Sequence, residues 1–240
     1  MIVSWFSAGV SSAVATKMAI ADCGVDRIIY THIDDQHPDT MRFIKDCEQW
    51  FGMPVEVLQS HHKTVADACL SAGGRGYING PGGAACTRML KRRVRREWEL
   101  ENSHVGLSYV WGIDCTESHR CERLRDSMPD QDHIFPLVDK SISKEHAHQI
   151  LTASGIKRPA MYDLGYRNNN CIGCVKGGMG YWNKIRRDFP EVFAARAAME
   201  RQVGASCIKG VYLDELAPDA GREDGPVCDD CGIFCEIMGI

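Results

Sequence analysis

The chain opens on a short apolar run, Ile2 to Phe6, followed by six small residues, Ser7-Ala8-Gly9-Val10-Ser11-Ser12. Ala13 to Ile20 then carries the apolar spacing of a helix. Arg27 to Ile33 reads as a buried strand, Met41 to Phe51 as a helix, Pro54 to Leu58 as a third strand and Val65 to Ala72 as a helix. A glycine-rich loop, Gly73 to Gly83, precedes a long helix over Thr87 to Leu100. His104 to Ile113 and His133 to Leu137 read as further strands, and Ser143 to Ser154 as a helix. This alternation predicts an α/β fold with a doubly wound, mostly parallel sheet and helices on both faces. Ligands of such sheets sit beyond the carboxyl ends of the strands. The turn at 7–12 and the loops at 34–39 and 114–120 would lie on that rim.

From about residue 156 the pattern changes. Arg158-Pro159 breaks the helical spacing, a loop runs through Tyr162-Asp163-Leu164-Gly165, and helices return at about 180–203. The last stretch is irregular and ends in Cys228-Asp229-Asp230-Cys231-Gly232-Ile233-Phe234-Cys235. The expected division is an α/β domain over 1–155 that carries this rim and a Cys-rich helical and irregular C-terminal region over 156–240.

Composition narrows the field only in places. Hydrophobic content of 44%, charged content of 25% and a formal charge of −4 are ordinary for a globular chain and give no global pull toward nucleic acid. No apolar run approaches a membrane span and no basic-then-apolar leader is visible, so a cytoplasmic protein is expected. The twelve cysteines are the unusual feature. In a reducing compartment, Cys clusters point to metal or redox chemistry more often than to disulfides. Cys23, Cys47 and Cys69 fall within or at the end of helical patterns and read as core.

A strand, a turn of small residues and a helix start make an anion site, because the backbone can approach a phosphate and the first amides point at it. Taken alone, Ser7 to Ser12 fits that reading and an ordinary strand-to-helix turn equally well. The loop Asp34-Asp35-Gln36-His37-Pro38-Asp39-Thr40 follows a strand; Asp39 or Thr40 could cap the next helix, and Asp34 or Asp35 could contact a ribose or Mg2+. In Asp114-Cys115-Thr116-Glu117-Ser118-His119-Arg120, the residues Glu117, Ser118 and Arg120 offer an acceptor, a hydroxyl and a phosphate-binding guanidinium.

Lys91-Arg92-Arg93-Val94-Arg95-Arg96 puts five cations on one helix, with 92, 95 and 96 on one face and 88, 91, 92 and 95 on another. A solvated surface balanced by Glu97, Glu99 and Glu101 is the favoured reading; a site for substrate phosphates or an RNA backbone is the alternative. Cys171-x-x-Cys174 carries two thiols at metal-ligand spacing, and Cys86, opening the long helix, is the candidate third. Cys207 with Cys228, Cys231 and Cys235 supplies four sulfurs that suit tetrahedral Zn2+.

Together these residues resemble the PAPS reductase family of the adenine-nucleotide α-hydrolase (PP-loop) superfamily, and in particular its phage-borne members. The resemblance runs in order over about residues 2–175. It takes in Ser7–Ser12, His37-Pro38-Asp39-Thr40, Cys86-Thr87-Arg88-Met89-Leu90-Lys91, Gly112 to Glu117-Ser118-x-Arg120, Phe135-Pro136-Leu137 and Met161-Tyr162-Asp163-Leu164-Gly165 before Cys171-x-x-Cys174.

The resemblance implies a PP-loop, HUP-like fold and an adenine nucleotide (ATP, APS or PAPS) with its phosphates at Ser7–Ser12 and contacts from Asp34, Asp35, Gly112, Glu117, Ser118 and Arg120. It also implies a [4Fe–4S] cluster, for which Cys86 alone stands in place of a cysteine pair. Two departures stand out. Ala8 and Ser11 replace a glycine and an aspartate of the ATP-splitting turn, which points toward the sulfonucleotide reductases. Asp230-Cys231-Gly232-Ile233-Phe234 resembles the reductase tail with Phe in place of His, and Asp114 falls where the reductases tend to carry an arginine for the sulfate.

The implied activity is reduction of a sulfonucleotide, with Cys231, Cys174 and Arg120 as catalytic candidates and a thioredoxin-like thiol donor. ATP-dependent thiolation of a tRNA or DNA base, with Lys184, Arg186 and Arg187 as further contacts, is the alternative. A non-catalytic nucleotide-binding protein is the third reading. A homo-oligomer is expected and no membrane contact.

Overall fold

The computed structural model describes residues 1–80, 82–102 and 106–222. Five strands form the central sheet: β1 (Ile2–Trp5), β2 (Arg27–His32), β3 (Val55–Gln59), β6 (Ser108–Val110) and β7 (Asp132–Ile134), in the order β3-β2-β1-β6-β7. β4 (Asn79–Gly80) and β5 (Gly83–Ala84) pair as a separate two-stranded antiparallel ribbon. Val3 aligns with Arg27 on one side and Tyr109 on the other, and β7 extends the sheet in parallel from β6.

Alternation along β1 explains the layering. Ser4 faces α1 (Val10–Asp22), its hydroxyl 2.7 Å from that of Thr16. Trp5 points the opposite way and meets Trp98 of α4 (Arg93–Glu101) edge-on at 5.6 Å. Period-two side-chain alternation therefore buries a helix on each face, giving the expected doubly wound α/β architecture.

The chain forms two compact units, each from separate segments. Unit one comprises 1–31, 38–58 and 97–163; unit two comprises 32–37, 59–96 and 164–240. In unit one, α1, α2 (Asp39–Phe51), α6 (Pro136–Asp139) and α7 (Lys144–Ala153) enclose a core that includes Phe6, Phe43, Tyr30 and Leu151. In unit two, α3 (Val65–Ser71), the helix beginning at Thr87, and α10 (Pro190–Val203) surround a core of Ile33, Ala68, Cys69, Ile78, Leu90 and Met199.

Several elements depart from the expectations. Asp39 is not a cap: Pro38 holds the N-cap position, and the Asp39 carboxylate bonds Arg42 at 2.7 Å and the Ala160 amide at 2.8 Å. Phe135-Pro136-Leu137 is not strand: β7 ends at Ile134, Phe135 is the N-cap residue of a helix, and Pro136 takes the first helical position, where no amide is needed. Tyr162 lies in a helical turn, α8 (Ala160–Asp163), rather than a loop. Strand β6 is shorter than 104–113, and residues 103–105 lie outside the described residues. Cys47 and Cys69 are core residues as expected, whereas Cys23 is exposed beyond the end of α1.

The basic helix is the largest correction. Thr87 to Arg92 is π-helical and only Arg93–Glu101 is α-helical, so the spacing that put residues 88, 91, 92 and 95 on one face does not hold. Arg93 and Arg96 are exposed, while Arg95 is buried. Arg88 donates to the Tyr77 hydroxyl at 2.7 Å, and Glu99 accepts from Tyr109 at 2.6 Å. The cations do not form a single solvated stripe.

Candidate functional site

The first candidate site, in unit one, is the turn between β1 and α1. Strands β1 and β6 are neighbours, and the chain leaves β1 toward β2 on the other side. The order therefore reverses between β1 and β6, where doubly wound sheets bind ligands. Ala8 is buried with φ 57, a left-handed conformation that costs an L-residue about 1–2 kcal/mol. Gly9 is the extended N-cap residue, and the helix takes in Val10, Ser11 and Ser12 of the candidate loop as its first turn. The Ser12 hydroxyl accepts from Ser7 at 2.9 Å and from the Gly9 amide at 3.3 Å, and donates to the Gly9 carbonyl at 2.9 Å. These bonds hold the turn in one shape.

Two residues from later in the chain complete it. Gly112, just after β6, lies so close that an added Cβ would stand 2.5 Å from the Ser12 Cα and 2.7 Å from its nitrogen. Tyr162 reaches the helix start, where its hydroxyl accepts the Val10 amide at 3.3 Å. His148 meets the Tyr162 ring edge-on at 4.7 Å. Burial, then the positive Arg158 and Lys144, pushes the His148 pKa down to about 4.

The loop after β6 is organised by its own contacts. Asp114 is buried and accepts from the Thr116 amide at 2.9 Å and the Thr116 hydroxyl at 2.6 Å, so it caps the short turn Cys115–Glu117. Arg120 is buried and bonded to Glu117 at 2.6 Å, one turn earlier. Ser118 is exposed at the start of α5 (His119–Ser127). The guanidinium and the carboxylate expected to meet a nucleotide thus hold each other.

The second candidate site lies in unit two. The β4–β5 ribbon delivers Cys86 to the start of the π-helical turn, with the Ala85 amide bonded to the Ile78 carbonyl at 3.0 Å. Cys86, Cys171 and Cys174 line one small pocket with Thr87, Lys91 and aliphatic walls. Burial pushes the Cys171 thiol up to about 12, and the positive Lys91 is the largest influence in the other direction. Tyr181, kept protonated by burial, braces the pair: its hydroxyl accepts the Cys174 amide at 2.8 Å and donates to the Cys171 carbonyl at 3.3 Å.

Three soft sulfur donors beside an ammonium suit a thiolate-bound metal in kind, since a bound cation stabilises the deprotonated form that burial disfavours. Among the described residues, however, no three His, Cys, Asp or Glu side chains converge as a metal site. The sulfurs share the pocket without closing on a common point.

The remaining candidates are placed as follows. Asp34, which accepts from Gln59 at 2.6 Å, and Asp35 belong to unit two. Cys207 packs against the unit-two core, and its thiol is pushed up by burial and by Glu200. Cys228, Cys231 and Cys235 lie outside the described residues. Lys184 pairs with Asp188 at 2.9 Å, and Arg186 bonds Asn183 and the Leu216 carbonyl, each at 2.8 Å. Both serve contacts within unit two.

Tyr162, Tyr181, Asp35 as a partner of Arg196, and Lys91 as a pocket residue went unread in the sequence. Tyr162 stood inside a recognised motif, and the others carried no local signal of their partners.

An open α/β sheet with a small-residue turn at its switch point defines the class as a nucleotide-binding α/β protein. Residues 1–177 match the model of the phosphoadenosine phosphosulfate reductase domain, and the chain belongs to that family, one of nucleotide-binding enzymes of sulfur metabolism. Among solved structures, it is similar to phosphoadenylyl-sulfate (PAPS) reductase from Candida auris in a phosphate complex, at 12% identity and a TM-score of 0.47 over 69% of this chain and 78% of that one. No curated protein sequence matches the chain. No helix among the described residues is long and apolar enough to cross a membrane.

Proposed function

We propose that this protein is a sulfonucleotide reductase-like enzyme that binds APS or PAPS with its phosphates at the Ser7–Ser12 turn. The observation that carries this reading is the close packing of Gly112 on Ser12 at the sheet's switch point, in a chain of the PAPS reductase family. The amides of Ser11 and Ser12 and the positive end of α1 would meet the phosphates. Asp114 spends its carboxylate on Thr116, so sulfate recognition would have to come from other residues.

In this reading the Cys231 thiolate attacks the sulfur of the sulfonucleotide. The sulfur–oxygen bond to the adenosine phosphate breaks, and the enzyme is left with a Cys231 thiosulfonate. A dithiol of the thioredoxin kind then attacks the Cys231 sulfur, releases sulfite, and leaves oxidised as its second thiol frees Cys231. Incubation with APS or PAPS and reduced thioredoxin tests it: sulfite from either supports the reading, and none from both defeats it.

Cys86, Cys171 and Cys174 would hold a [4Fe–4S] cluster, or Zn2+. A cluster with three protein ligands supplies an open coordination position and redox capacity. That three-sulfur pocket favours a second reading, ATP-dependent thiolation of a tRNA or DNA base, with Mg2+ at the nucleotide phosphates. Pyrophosphate released from ATP only in the presence of RNA or DNA would support it over the first. Where Cys231 is not the nucleophile, Cys207 with Cys228, Cys231 and Cys235 would instead form a Zn2+ site. A non-catalytic nucleotide binder predicts nucleotide affinity with neither product. The enzyme would act as a homo-oligomer in the cytoplasm.

A further inference from the structure

The turn Cys171-Ile172-Gly173-Cys174 is held by two residues distant in sequence, Asp35 through its main-chain carbonyl and Arg196 through its side chain. The Ile172 amide donates to the Asp35 carbonyl at 2.8 Å, and Arg196 Nε donates to the Gly173 carbonyl at 3.2 Å. The same Arg196 guanidinium pairs with the Asp35 carboxylate, whose other oxygen accepts the Val65 amide at 2.6 Å. Asp35, Ile172, Gly173 and Arg196 thus close a ring through one main-chain bond, one side-chain-to-main-chain bond and one ion pair. Gly173 has φ 71, and a Cβ there would stand 2.8 Å from Val192 of α10, the helix that also carries Arg196. The turn therefore lies directly against the helix that holds it.

We infer that Asp35 and Arg196 are positioning residues that hold the Cys171–Cys174 dithiol turn in its ligand-binding shape before any metal or sulfur compound arrives. Arg196 is only 3% exposed, and an ion pair so buried is weak as a stabiliser, because desolvation offsets its Coulomb energy. Its contacts instead converge on one loop. Arginine suits the task because its rigid planar fork aims separate N–H groups at a carbonyl and a carboxylate, whereas lysine offers a single point charge on a flexible stem. Holding a site ready in this way lowers the ordering cost of ligand binding. The inference rests on the reading that this dithiol is the working pair.

The test is site-resolved alkylation of the full chain with iodoacetamide, followed by mass spectrometry, with the buried Cys47 and Cys121 of the other unit as internal references. In Arg196→Gln and in Asp35→Asn, alkylation at Cys171 and Cys174 should rise about tenfold relative to Cys47 through local opening, with Cys121 unchanged. The double variant should go no further than the stronger single one, because the two residues act as one unit. Arg196→Lys keeps the charge without the fork and should release the turn as well.

Equal acceleration at all four cysteines, no acceleration at Cys171 and Cys174, or full rescue by Arg196→Lys would each overturn the inference. Should Arg196→Gln fail to fold, Asp35→Asn and Arg196→Lys carry the same comparison. Titration with Co2+, followed by thiolate-to-cobalt absorption, separates this inference from the metal reading. Weaker Co2+ binding in the variants supports both. Wild type that takes up no Co2+ but shows the alkylation pattern defeats the metal reading and upholds the clasp.

Discussion

Gly112 packs against the main chain of Ser12 so closely that a methyl group on it would stand 2.5 Å from the Ser12 Cα. The contact joins the end of β6 to the first turn of α1, and it admits hydrogen alone as a side chain. Gly112→Ala must push the two segments apart. The expected result is a loss of about 1–3 kcal/mol in urea unfolding, the range for overpacking, together with weakened nucleotide binding. Unchanged stability and binding would show that the turn tolerates a shift.

Tyr162→Phe removes the hydroxyl that accepts the Val10 amide. Losing that hydrogen bond should cost about 0.5–1.5 kcal/mol in the free protein. A bound phosphate can take the same amide, so the deficit should shrink at saturating nucleotide. Paired thermal melts with and without ATP or PAPS check this, and a deficit that persists unchanged would separate Tyr162 from the phosphate site.

His148 gives a pH dependence with a defined sign. Burial holds its folded-state pKa near 4, below the usual 6.5 of histidine, so the folded protein favours the neutral ring. Above pH 6.5 the ring is neutral in both states and costs nothing. As pH falls from 6.5 toward 4, the unfolded chain takes up the proton first, and the stability of the fold declines. Urea midpoints at pH 7.5 and pH 5 should drop less in His148→Gln than in wild type. Equal drops would mean that His148 is not responsible.

Glu200 is fully buried and accepts two amides, Cys207 at 2.5 Å and Leu213 at 2.6 Å. Glu200→Ala leaves both donors without their acceptor and should cost at least about 2 kcal/mol. Amide hydrogen exchange should accelerate at Cys207 and Leu213 before it does in β1. Retained protection at both amides would mean that other acceptors replace the carboxylate.

Metal content divides the cysteine readings. Anaerobically purified protein should contain metal, and Cys86→Ser, Cys171→Ser or Cys174→Ser should each lower the content while Cys47→Ser leaves it unchanged. Iron with sulfide points to a cluster, and zinc alone to structural cysteines. Metal in neither form would remove the metal role of these three residues.

The amino-acid sequence by itself determined the alternation of strands and helices, the parallel sheet, and the position of the small-residue turn. Each of these rests on local periodicity and turn chemistry, which a single chain displays along its length. It also singled out Cys86, Cys171 and Cys174, which the fold brings to one pocket, because thiols are sparse in most chains and their spacing is conspicuous. Tertiary structure alone decided which charges are spent on one another. Arg120 and Glu117 read as ligand-facing residues, yet they take each other up. Lys91 read as part of a basic helix surface, and a π-helical turn brings it to the cysteine pocket. Arg196 carried no signal at all, since its partners lie 161 and 23 positions away. Side-chain pairing depends on distances through space that local pattern does not encode. The Gly112 contact belongs with these: any glycine after a strand looks the same until Ser12 is seen against it.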